Sequence, residues 1–84
     1  MSDIEEMATE VRQLVLEASK VLAGADPAVA GAALADLCAM WLAGHMDGRG
    51  PDASAHLRAR LLRMHIRKIR QLVPVNARIM GTDR

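Results

Sequence analysis

The sequence predicts an all-α protein, a three-helix chain with a nearly fully apolar central helix that forms a helical-bundle homodimer. Three observations predict it. Apolar residues recur at steps of three and four along most of the chain, the spacing of one helix face. Alanine, leucine and other helix formers dominate, and no alternating β-branched or aromatic run suits a strand. Glycine and proline fall at intervals that mark off three segments.

The 84 residues make room for one domain. It is expected over residues 1–73, with helices near 3–23, 27–43 and 53–73 and an irregular tail over 74–84. The first helix opens on Ser2 and Glu5, which have capping-box spacing. Ile4, Met7, Val11, Leu14, Ala18 and Val21 draw one apolar stripe, and Glu6, Glu10 and Glu17 lie on another face. Gly24 suits a left-handed stop.

Asp26-Pro27 is a restart: the carboxylate accepts from free amides, and proline fits the first helical position because it has no donor to leave unpaired. The second helix then runs to Ala43, with Gly44 as its stop. Its one charge is Asp36. A helix apolar on every side belongs in a core or a membrane. A span needs about 20 apolar residues, and this segment is shorter, rich in alanine and interrupted by Asp36, so a buried helix with no membrane role is expected. Ala28, Ala32, Ala35, Ala39 and Ala43 share one side. Leu34, Leu37, Cys38, Trp41 and Leu42 share the other. Two neighbouring helices cover only part of such a cylinder, so Ala32, Ala35, Ala39, Ala43, Leu34, Leu37 and Trp41 are the expected self-association face. A twofold dimer is the commonest solution.

GHMDGRGP over 44–51 reads as a loop. Asp52 or Ser54 would cap the third helix, and Pro74 would stop it at Val73, because proline disfavours helix in the residue before it. Val75, Ile79 and Met80 of the tail could dock as an arm.

Charge is divided along the chain. Residues 1–48 hold eight acids against Arg12 and Lys20, a net of −6, while residues 49–84 hold nine bases against Asp52 and Asp83, a net of +7. His56, Arg60, Arg63, Arg67 and Arg70 form a basic stripe on the third helix. The stripe is expected to be a solvated or salt-bridged face set against Glu6, Glu10 and Glu17. The alternative is an anion- or partner-binding face, for an acidic protein or for nucleic acid. Nucleic acid is the less favoured partner because overall charge is near neutral and no aromatic platform is present to stack bases.

Asp36 needs a partner if buried, and His65, within the apolar face of the third helix, is the candidate for a buried polar pair. Cys38 and His45 stand two turns apart, too far for a thiol–imidazole bond within one helix. There is no Cys-x-x-Cys or His-x-x-x-His pair, no glycine-rich phosphate loop and no nucleophile elbow. No catalytic, metal or cofactor residue is assigned. One cysteine fits a reducing compartment, and the acidic N-terminus lacks the marks of a secretory signal, so a cytoplasmic protein is expected. The function class that follows is a non-catalytic protein acting through self-association or as an adaptor; an enzyme ranks last.

Overall fold

The computed structural model describes residues 3–84; the expected capping role of Ser2 lies outside them. Among the described residues the chain is all-helical and has no strand. Three helices follow in order: α1 (Asp3–Leu22), α2 (Pro27–Ala43) and α3 (Pro51–Met80). The chain divides into two compact units, one up to Asp36 and the other from Leu37 onward.

The first unit holds α1 and the opening of α2. Asp3, Glu5 and Glu6 occupy the first turn of α1 and Lys20 its last, the arrangement that complements the helix dipole. The helix ends in a tight turn in which the Ala25 amide donates to the Leu22 carbonyl at 3.1 Å. The expected left-handed Gly24 is corrected: positive φ is confined to Gly50 and Gly81 among the described residues, because this turn closes without it. Asp26 behaves as its sequence implies. Its Oδ1 accepts from the Ala28 amide at 2.8 Å, and Pro27 takes the first helical position.

The second unit is a helical hairpin. Contacts between its two arms are nested about a point near residue 51: Asp47 with Ser54, His45 and Ala43 with Arg58, and Cys38 with His65. Only an antiparallel pair nests in this way. The Ser54 hydroxyl pins the loop, accepting from the Asp47 amide at 2.9 Å and donating to the Asp47 carbonyl at 3.3 Å.

Both ends of α3 differ from expectation. It begins at Pro51, not near residue 53, with Gly50 before it at φ 117° and ψ −178° and no side-chain cap. Asp52 and Ser54 therefore sit inside the first turn. Pro51 supplies a pre-set φ for the first position, and Gly50 takes a backbone region that is essentially glycine-only. At the other end α3 runs through Pro74 to Met80, so the tail expected over 74–84 is helical for most of its length. Pro74 has no amide to offer the Arg70 carbonyl. It is exposed and lies on the basic side of the helix, where water can satisfy that carbonyl. The stop is Gly81 at φ 74°. Its amide donates to Arg78 and the Thr82 amide to Ala77, the paired pattern of a Schellman end.

Among the described residues no apolar side chain is buried, and Ser54, 7% exposed, is the one buried residue. Cys38, Leu42 and His45 of the first hairpin arm and Leu57, Arg58, Leu61 and His65 of the second are half-buried. They mark where the arms meet.

Gly50→Ala tests the hairpin's most constrained position. Nothing lies within 4 Å of an added Cβ, so any cost is backbone strain and not crowding. Chemical denaturation is expected to show a loss of about 1–3 kcal/mol. No loss would mean that the loop relaxes to another conformation.

Candidate functional site

Two groups of side chains in the second unit carry chemistry. The first sits between the hairpin arms. Cys38 Sγ lies 3.6 Å from His65 Nε2. The His65 ring tilts against Trp41 with centroids 5.3 Å apart, and Trp41 meets the His45 ring edge-on at 4.9 Å. His45 Nδ1 is 2.7 Å from the Trp41 carbonyl, the geometry of a donated N–H. A thiol beside an imidazole is the first part of a nucleophilic cysteine site. Such a site also needs a group that orients the base and donors that receive a developing oxyanion. Here the imidazole rests on an indole face. The arrangement packs and orients the arms, with the thiol in a half-buried setting.

Arg58 ties the same junction. Its Nε donates to the His45 carbonyl and its Nη2 to the Ala43 carbonyl, both at 3.0 Å. The Ala43 carbonyl is at the end of α2, where a helix leaves it without an internal partner; His45 lies two residues past that end. A cation there also faces the negative end of the helix dipole.

The sequence expectation paired a buried Asp36 with His65. Asp36 is exposed, as the one charge of a helix with no buried residue of its own. His65 is engaged by Cys38 and Trp41. Reasoning from one helix at a time tested Cys38 only against His45. The hairpin register, centred near Pro51, is the signal that brings Cys38 opposite His65.

The second group is the basic side of α3. His56 Nδ1 is 2.8 Å from the Asp52 carbonyl, one turn back. His56, Arg60 and Arg63 line a surface groove of about 590 Å³ with Asp47, Arg49, Asp52, Ala53 and Leu57. Arg63, Ile66, Arg67 and Arg70 line a second of about 370 Å³. Arg63 belongs to both, so the grooves adjoin along the stripe. Of the two acids in the first groove, Asp47 and Asp52, Asp47 is already engaged: it accepts from the Arg49 amide and Nε at 3.0 Å and from its Nη2 at 2.8 Å. Those bonds from the Arg49 side chain and then its amide hold the Asp47 carboxyl below the ordinary carboxylate range, with a smaller push from the nearby Arg60 charge. Within the second unit Arg63, Arg67 and Arg70 are in no ion pair.

Among the described residues no group of three or more His, Cys, Asp or Glu side chains could hold a metal ion, and no helix is long and apolar enough to cross a membrane. The self-association residues Ala32, Ala35, Ala39, Ala43, Leu34, Leu37 and Trp41 are all exposed. No protein-family model, curated protein or solved structure matches the chain.

Two measurements test this geometry. Arg58→Met keeps the apolar stem but removes both bonds to the end of α2, and is expected to lower stability by about 1–3 kcal/mol. An unchanged stability would mean that water serves those carbonyls equally well. Asp47 should titrate by NMR below an ordinary aspartate and move part of the way back toward the ordinary range in Arg49→Ala, which removes the side-chain bonds but keeps the residue-49 amide and the Arg60 charge. Since its folded pKa is depressed, the loop contact it supports persists above the ordinary carboxylate range and is lost as pH falls through the folded value.

Proposed function

We propose that this protein is a non-catalytic helical module whose working form is a twofold homodimer, assembled around α2 and the apolar stripe of α1. The observation that supports this reading is the absence of any buried apolar side chain among the described residues of a chain that is 51% hydrophobic. Ile4, Met7 and Leu14 of α1 are each more than three-fifths exposed, and so is Met40 of α2.

Charge supports a second copy as the occupant. At a net of +1, two copies meet with little mutual repulsion.

The sides of α2 differ in suitability. Asp36 lies toward the alanine side, and burying it unpaired would be costly. Leu37 and Trp41, with Leu34 one turn earlier, point away from it. They are the residues assigned to the interface, with the alanine side left nearer water.

Sedimentation equilibrium at micromolar concentration is expected to return the mass of two chains. Leu34→Glu combined with Leu37→Glu, at exposed positions outside the hairpin contacts, should weaken the dimer by about 100-fold or more, since each substitution would bury a carboxylate at a central contact. Leu16→Glu, on the side of α1 away from its apolar stripe, should leave the dimer intact. A single-chain mass for the unaltered protein would overturn the proposal.

A further inference from the structure

We propose that the arginine stripe of α3 is a binding surface for the phosphate backbone of double-stranded DNA, read without reference to base sequence. The proposal stands on the surface of the second unit and does not depend on self-association.

The stripe is positioned to remain outside any apolar assembly. On α3, Leu57, Leu61, His65, Ile69 and Leu72 fall on one side; Arg60, Arg63, Arg67 and Arg70 fall on the opposite side. The first side contains the half-buried positions Leu57, Leu61 and His65 that mark the junction with the other arm. Packing that side, whether within the hairpin or against another chain, turns the arginines outward.

The four guanidiniums are not consumed by structure. Arg63, Arg67 and Arg70 are in no ion pair within their unit, and the one salt-bridged acid of the adjoining groove, Asp47, is held by Arg49. Successive arginines rise by about 4.5, 6 and 4.5 Å along the axis, and the stripe from His56 to Arg70 runs about 21 Å. Duplex DNA presents a charge about every 1.7 Å of its axis. Against so dense a polyanion each arginine finds a phosphate oxygen whatever the register. An acidic peptide would need carboxylates at matched spacing. The planar fork of arginine also accepts two phosphate oxygens at once.

Duplex DNA is favoured over other nucleic acids on two grounds. A single strand is held by bases stacked on aromatic rings, and the stripe has none beyond His56. A bare helix of about 10–12 Å diameter fits the major groove of B-form DNA, about 12 Å wide, but not the deep, narrow major groove of duplex RNA. The stripe has no Asn or Gln to read adenine, and its arginines, which can also meet guanine edges, are assigned here to phosphate oxygens, which carry no sequence information.

Fluorescence anisotropy with a short labelled DNA duplex at low salt tests the surface. The unaltered protein should bind, with affinity falling steeply as salt rises. Arg63→Gln combined with Arg67→Gln should weaken binding roughly tenfold and reduce the salt slope by about two. The charge-matched pair Arg12→Gln and Lys20→Gln on α1 should change neither by a comparable amount. Circular dichroism should show both variants folded, since all four positions are exposed. Absence of binding at low salt would overturn the proposal. So would equal losses in the two variants, or equal or tighter binding of single-stranded DNA, duplex RNA, polyglutamate or anionic vesicles.

Discussion

What governs this molecule is an imbalance between the apolar surface its helices carry and the little that one chain covers. Hydrogen bonding is well arranged locally: Asp26 caps α2, Arg58 closes it, Ser54 pins the loop, and Gly81 terminates α3. Each such device contributes on the order of 1 kcal/mol. Helices of 17 and 20 residues draw most of their stability in water from packing of an apolar face. With no apolar side chain buried among the described residues, the proposed second copy is what would supply that packing; folding and association would then be one equilibrium, and stability would depend on protein concentration.

The same constraint sorts the surfaces. In the second unit, α3 places Leu57, Leu61, His65 and Ile69 on one side together with Arg58, and Arg60, Arg63, Arg67 and Arg70 on the other, and the half-buried Leu57, Arg58, Leu61 and His65 belong to the first. Covering apolar surface thus fixes where the charge goes. The tolerance of Pro74 follows from this sorting. On the covered side its missing amide would leave the Arg70 carbonyl unsatisfied in a dry setting; on the basic side the carbonyl meets water. The helix keeps its length, and Arg78 joins the charged end.

Element positions were legible where a local signal has one physical meaning. Asp26-Pro27 pairs an acceptor with a residue lacking a donor, so the start of α2 is readable to the residue. The three-and-four spacing of α1 leaves only its last residue open. Legibility failed where one signal competed with another. Pro74 is a stop only if its freed carbonyl has no other partner, and that depends on which side of a tertiary structure it faces. The true terminator, Gly81, acts through its own αL backbone, but it was hidden behind the proline. At the other end, Asp52 and Ser54 are good caps by type, yet Gly50-Pro51 combines a φ that only glycine tolerates with a preformed first turn. The Cys38–His65 contact was illegible for the same reason: shifting the start of α3 shifts the register that pairs the arms. The basic stripe was read in full, since it lies within one helix.

In the proposed dimer, Asp36 is the one charge that would orient an assembly that apolar surface alone would leave ambiguous. A cylinder of alanine, leucine and valine offers several nearly equivalent packings, and a core specified only by hydrophobicity loses uniqueness before it loses stability. A single carboxylate removes that degeneracy. Any arrangement that turns the Asp36 side inward must supply a partner or protonate the group, whereas one that turns Leu37 and Trp41 inward leaves it in water at no cost. The penalty falls on the wrong packings and spares the right one, which is how specificity is gained without adding an attractive contact. The exposed Asp36 is therefore compatible with α2 at the centre of the proposed dimer: it would leave α2 one face to offer and not two.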